Sequence, residues 1–248
     1  MQKLSKNAEK KRQKKEKAAA FIKKQFENTW FDAQKNVHLV RHGDQILPDK
    51  GYLKGLRHPL RKWQVLGETL TAINELDARI KFERSVQHHG PVAGRRTGEI
   101  IEGNGSTWLV TSSPALLTPA PGECPLMRRF METLLPEPAA HLSMCSWLKV
   151  QMNAIMTGVH SKSPMMVLAG DVNDGKSFFM NLTTILRGGR DINPIALWSG
   201  RSAPWSDQLL GKECLNIDDS AAEKSYSSRE QLGTRLKEAI FSDSVTIE

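Results

Sequence analysis

The chain has 248 residues, 39% of them hydrophobic and 25% charged, an ordinary balance for a soluble globular protein with room for a sizeable core in one large or two small domains. Its three cysteines, Cys124, Cys145 and Cys214, are odd in number, far apart and without a C-x-x-C pair. That excludes a disulfide framework and a cysteine zinc site and points to a reducing, cytoplasmic compartment, while no apolar run approaches the length of a membrane span. The formal net charge is +8, which favours a polyanionic partner, but residues 1 to 24 alone hold nine Lys and one Arg against two Glu. The remainder is balanced at 25 basic and 25 acidic residues, so the attraction sits in a basic tail that reads as a solvated lysine-rich helix or a disordered arm.

After the tail, Asn36 to Arg41 alternates like a half-buried strand and closes at Gly43-Asp44. Leu39-Val40-Arg41-His42-Gly43 resembles the L-x-R-H-G signature of histidine phosphatases and phosphoglycerate mutases, a likeness of five residues. The second histidine which that family needs has only His141 and His160 as candidates, neither in the right setting, so a strand ending in a polar turn is the plainer reading. From Arg61 to about His88 the residues Trp63, Leu66, Leu70, Ile73, Leu76 and Ile80 recur at helical steps, which predicts an amphipathic helix and a packing face. His88-His89, adjacent in sequence, are not assigned a metal.

Gly90 to Gly105, with Arg95-Arg96, reads as an exposed turn region, and Trp108 to Thr111 as a strand. The prolines at 114, 119, 121 and 125, followed by Pro136 and Pro138, mark a domain boundary. The expected division is therefore a tail at 1–24, an α+β region at 25–135 and a nucleotide-binding domain at 136–248. Leu126 to Leu135 and Ala140 to Met156 read as helices, the second with Leu142, Cys145, Leu148, Met152 and Ile155 on one stripe.

Then comes Gly170-Asp171-Val172-Asn173-Asp174-Gly175-Lys176-Ser177, a complete G-x-x-x-x-G-K-S loop. Met165 to Ala169 before it reads as a buried strand, and Lys176 to Arg187 after it as a helix stopped by Gly188-Gly189. Strand, loop and helix together are what a triphosphate needs: inward backbone N–H groups at the positive end of a helix, Lys176 on the outer phosphates and Ser177 on Mg²⁺. Asp171 and Asp174 occupy the variable positions, where side chains can point to solvent. Farther on, Leu209 to Asp219 reads as a short apolar strand ending in two carboxylates. A P-loop NTPase uses such acids, Asp218 to hold Mg²⁺ and Asp219 to position the attacking water; a helix cap is the alternative.

The run from the proline-rich loop onward resembles the helicase part of phage and plasmid primase-helicase proteins, superfamily 3 helicases of the AAA+ class. The likeness rests on Trp147-Leu148, the loop at Gly170 to Ser177, Gly188-Gly189, Trp205 to Leu210, Ile217-Asp218-Asp219, and Leu236-Lys237 before Val245 to Glu248. Upstream, Gly94 to Gly98 and Leu109 to Thr111 are loosely similar to the stretch that precedes the helicase. The resemblance implies a P-loop NTPase sheet, parallel and flanked by helices, in a homo-hexameric ring that hydrolyses ATP with Mg²⁺ and moves on single-stranded DNA during replication. A primase activity is not carried over. Because Val245 to Glu248 reads as the start of a strand, the γ-phosphate sensor and inter-subunit arginine are expected to be missing and turnover to be poor, unless Arg201, Arg229 or Arg235 supplies the arginine. A P-loop kinase and a non-catalytic nucleic-acid-binding protein are the other readings.

Overall fold

Lysine, alanine, glutamine and glutamate are strong helix formers, and residues 2–27, rich in them, form one long helix, α1 (Gln2–Glu27). It belongs to a computed structural model that describes residues 2–103, 105–159, 165–171, 173–194, 207–217, 230, 233, 234 and 237. Val172, His160, Trp198, Arg201, Trp205, Asp218, Asp219, Arg229, Arg235 and Val245 to Glu248 lie outside the described residues. The chain is mixed α/β with small sheets and divides into two units, Met1–Gly90 with Thr97–Ser112, and Pro91–Arg96 with Ser113–Glu248.

In the first unit β1 (Thr29–Asp32), β2 (Val37–His42), β3 (Gln45–Asp49) and β4 (Ser85–Val86) form a sheet of order β3-β2-β1-β4. The β1–β2 and β2–β3 pairs are antiparallel, and β1–β4 is parallel. Side chains alternate across a strand, so Phe31 and Val40 face one way and Trp30 and Leu39 the other. The first pair packs with Ala18 of α1, Tyr52, Leu56 and Leu60 of α2 (Tyr52–Leu60), and Ile73, Leu76 and Ile80 of α3 (Leu66–Glu83). Trp30 and Leu39 pack with Val37, Ile46, Val86 and Leu109. Leu109 comes from a second sheet, β5 (His88–Gly90), β7 (Ser106–Val110) and β6 (Ile100–Gly103) in the order β5-β7-β6.

Three sequence expectations change here. The basic segment takes the helical one of its two expected forms, with residues 7–17 exposed, but it is not solvated throughout, because Ala18 is buried and Phe21, Ile22 and Phe26 pack against the helical core. The helix expected over Arg61 to His88 runs only from Leu66 to Glu83, and the histidines fall in β5, where His88 stacks on Trp108 at 5.3 Å. The division falls after Ser112, at the start of the proline-rich stretch read as the boundary, and not after residue 135. Met131 of α4 (Pro125–Leu134) packs with Met144 of α5 (Pro138–Thr157) and Phe179, which ties α4 to the second unit. Arg41-His42-Gly43 lies at the end of β2 in a hairpin with His42 opposite Gln45, and the Arg41 guanidinium donates to the Thr97 carbonyl. No helix among the described residues is long and apolar enough to cross a membrane.

Two imidazoles, His38 buried and His89 half-buried, sit in the first unit. His38 Nε2 lies 2.9 Å from Asp77 Oδ1, whose other oxygen accepts from Lys81 at 2.8 Å. His89 Nε2 lies 3.1 Å from Asp32 Oδ2, and Asp32 Oδ1 accepts from the Lys35 N–H at 2.8 Å. Burial holds both imidazoles below the usual value of 6.5; at His38 the nearby Asp77 opposes the shift, and at His89 Lys35 adds to it while Asp32 opposes it. A histidine with a lowered folded pKa binds its proton more readily in the unfolded chain, so its contribution to stability is present above pH 6.5 and is lost as pH falls through the folded value. The melting temperature of the protein should therefore fall between pH 7.5 and pH 5. His38→Phe should flatten that dependence, since Lys81 still pairs Asp77; parallel wild-type and variant profiles from pH-resolved calorimetry would refute the role.

Candidate phosphate site

The second unit is built under its glycine-rich loop. α6 (Lys176–Leu186) starts at Gly175, whose backbone sits at φ 87°, and ends at Gly188 (φ 106°) and Gly189 (φ 77°). The Gly188 N–H donates to the Ile185 carbonyl at 3.2 Å and the Gly189 N–H to the Thr184 carbonyl at 2.9 Å. These are the two bonds of a Schellman stop, which the paired glycines make inexpensive. Phe179, fully packed among Met131 and Met144, fixes the rotation of α6, with Phe130, Trp147, Leu148, Met166 and Leu168 around it. Burying a side chain of that size is worth roughly 1.5–3 kcal/mol.

At the other end of the helix the loop closes on itself. Lys176 Nζ donates to the Gly170 carbonyl at 2.9 Å and also to the Asp171 carbonyl. The first-turn N–H groups have no partner within a helix, and the N-cap is a glycine with no side chain to cap them. A cluster of donors thus meets an ammonium already held over the loop. Ser177 is exposed in that first turn, and Asp171 and Asp174 are both exposed to solvent. Phe130 lies beneath, so close that a Cβ at Gly175 would meet its ring at 3.3 Å.

This donor set fits a phosphate chain: a flexible ammonium, N–H groups without an intrahelical partner at the positive end of a helix, and a hydroxyl one residue on. Ser177 is also the group that would bind Mg²⁺. The proposed carboxylate partners, Asp218 and Asp219, and Val172 of the loop lie outside the described residues.

The strand expected at Met165 to Ala169 is an unpaired segment among the described residues. Met166 and Leu168 pack inward, while Met165 and Val167 are exposed, Val167 by 71%. One-sided burial accounts for the difference, since a central strand of a parallel sheet is covered on both faces. The run Leu209 to Ile217 also differs. Leu209 and Leu210 close the short helix α7 (Asp207–Leu210), and only Cys214–Leu215 is strand, β9, which pairs in parallel with β8 (Asp191–Ile192). On α5 the expected stripe is met in part: Ile155 is buried and Leu148 packs on the core, whereas Leu142 and Cys145 are exposed and Met144, outside the stripe, is buried.

Sequence reasoning missed the polar frame behind the loop. Asn216, read as an interruption of an apolar run, donates to Thr184 Oγ1 of α6 and to Asp191 Oδ2, both at 2.8 Å. Arg190 Nε donates to Glu213 Oε2 at 2.8 Å, and its NH2 group pairs with Oε1, which also accepts the Gly94 N–H at 3.1 Å. Arg187 is buried with its guanidinium 5.2 Å from the Trp147 ring. A polar side chain between apolar residues was the only signal for Asn216; the arginines gave none.

No protein-family model matches the chain, and neither does any curated protein. Its fold is similar to that of a solved structure, the apo form of the NrS-1 C-terminal region (305–718). The TM-score is 0.53 at 14% identity, over 89% of this chain and 49% of that one, so this chain spans about half of the matched structure. At that identity the likeness concerns the fold alone.

The loop geometry carries its own test. Gly175→Ala forces a Cβ into the left-handed region, at a cost of about 1–2 kcal/mol, and toward Phe130. Phe130→Leu in the same chain should relieve the steric part and leave the backbone part. Denaturant midpoints of the single and double variants measure both; a Gly175→Ala protein as stable as wild type would show that the left-handed loop is not formed.

Proposed function

We propose that this chain binds ATP with Mg²⁺ at Gly170 to Ser177 and belongs to an ATP-driven helicase motor of a phage or plasmid replication system, acting on single-stranded DNA as a homo-hexameric ring. One observation carries the nucleotide reading: Lys176, at the start of α6, is folded back over the loop carbonyls beside a glycine N-cap. In that posture the ammonium exchanges carbonyl oxygens for phosphate oxygens without moving the helix. The short parallel pair β8–β9 behind α6 is compatible with a P-loop sheet, and the sequence likeness to superfamily 3 helicases supplies the motor and the ring.

Bound Mg²⁺ would supply charge neutralisation at the phosphates. The chain's own groups divide the remaining work. Lys176 and the first-turn N–H groups bind and orient the β- and γ-phosphates, Ser177 and Asp218 hold the metal, and Asp219 positions water for attack on the γ-phosphorus as the bond to the β-phosphate oxygen breaks.

Lys176→Ala should lose most nucleotide affinity in a fluorescent-nucleotide titration, and equal dissociation constants for variant and wild type would remove the assignment. Asp219→Asn should retain binding and lose turnover, whereas Asp218→Asn should weaken the Mg²⁺ dependence of binding. DNA-independent transfer of the γ-phosphoryl group to a small acceptor hydroxyl, with release of ADP, would instead identify a P-loop kinase.

A further inference from the structure

Among its described side chains, α1 is anchored only near its C-terminal end. Ala18 is buried and Phe21, Ile22 and Phe26 pack on the first unit's core, whereas residues 7–17 are exposed all round. Those eleven positions hold Lys10, Lys11, Arg12, Lys14, Lys15 and Lys17 against Glu9 and Glu16. The charges are not mixed. At about 100° per residue the five lysines fall within an arc of roughly 160°. Both glutamates lie on the opposite side with Arg12, which pairs with Glu16 at 2.9 Å. Ala18, Phe21 and Ile22 fall on the lysine arc and Phe26 just beyond its edge, so the face that buries apolar groups near the anchor becomes a cationic face beyond it.

Stability does not account for this arrangement. Lys10 with Lys14 and Lys11 with Lys15 are like-charge pairs four residues apart, which weaken a helix by about 0.2–0.5 kcal/mol each, and the acids that would relieve them sit on the other side. We propose that the lysine face of α1, centred on Lys10, Lys11, Lys14, Lys15 and Lys17, is a nucleic-acid-binding surface that grips a strand through its phosphodiesters. A nucleic-acid backbone presents regularly spaced anions that relieve the repulsion, and flexible lysines make contacts of charge and not of sequence. An acidic lipid surface fits less well. Interfacial helices bury a large apolar face, and residues 7–17 contain no Leu, Ile, Val, Met, Phe or Trp.

Deleting residues 1 to 24 would be a poor test, because it removes Ala18, Phe21 and Ile22 from the core. The full chain with all five lysines changed to Gln keeps good helix formers, and far-ultraviolet circular dichroism checks that α1 persists. The probe is a fluorescent oligothymidylate of about twenty nucleotides, titrated from 50 to 300 mM salt without nucleotide. Lys176→Ala is run alongside, so that a failed nucleotide site and a failed lysine face give different results. Five phosphate contacts on a single strand give a slope of log K against log salt of about −3.5. The Gln variant should bind at least tenfold more weakly at the lowest salt, with a flattened slope. The control Arg12→Gln/Lys23→Gln, on the opposite arc, should lose less than twofold. Equal binding by wild type and the five-lysine variant overturns the proposal, as does equal loss in the control. Binding to phosphatidylserine vesicles but not to the oligonucleotide assigns the face to lipid and also overturns it.

Discussion

The packing of Phe179 against Met131 and Met144 governs the second unit. A glycine loop has no side chains with which to hold its own shape, so its geometry is borrowed from the helix that follows. Phe179 stands one turn into that helix. Because its ring is locked between α4 and α5, the rotation of α6 is set, and with it the direction of the first-turn N–H groups and the reach of Lys176. The extended segment before the loop is held by the same contacts through Met166 and Leu168. One apolar cluster therefore fixes both ends of a segment whose own chemistry is polar.

Behind it stands a frame of charge and hydrogen bonds. Arg190 and Glu213 are paired away from water, where a lone carboxylate would be costly, and Asn216 bridges α6 to β8. These groups keep β8 and β9 in register where two residues per strand supply little area of their own. Burial pushes the Cys214 thiol up, with Arg187 and Thr184 opposing the shift, so this cysteine stays protonated and inert at neutral pH, consistent with a structural place beneath the helix.

Much of the helical content was legible because it announces itself locally. Pro125 and Pro138 stand at helix starts and Gly188-Gly189 at a helix end, as stereochemistry favours. The Ile73, Leu76 and Ile80 stripe is buried as its period implies. Other features were hidden for physical reasons. In α1 four apolar anchors are outnumbered by lysines, and charge masked the packing. In α2, Gly55 and Pro59 break the composition of a helix that tertiary burial of Tyr52, Leu56 and Leu60 restores. β8 and β9 are too short to show a period of two, and Leu209-Leu210 has the same apolar character in a helical turn as in a strand. The loop motif was legible residue by residue, whereas the Phe130 ring beneath it is a contact across 45 positions that no local pattern encodes.

The course of the chain between the units has a consequence for inheritance. The polypeptide leaves the first unit after Gly90, gives Pro91–Arg96 to the second, returns at Thr97 and departs again after Ser112. The borrowed hexapeptide is not decoration: the Ala93 N–H donates to the Leu210 carbonyl at 2.8 Å, and the Gly94 N–H caps the buried Glu213. A single recombination point cannot exchange either unit intact. A crossover at Ser112 leaves the second unit without the segment whose Gly94 N–H donates to Glu213, and one at Gly90 leaves the first without β6 and β7. During synthesis the first unit also cannot finish until residue 112 has emerged, by which time six residues of the second are already out. The two units are therefore bound to travel, and to change, as a pair.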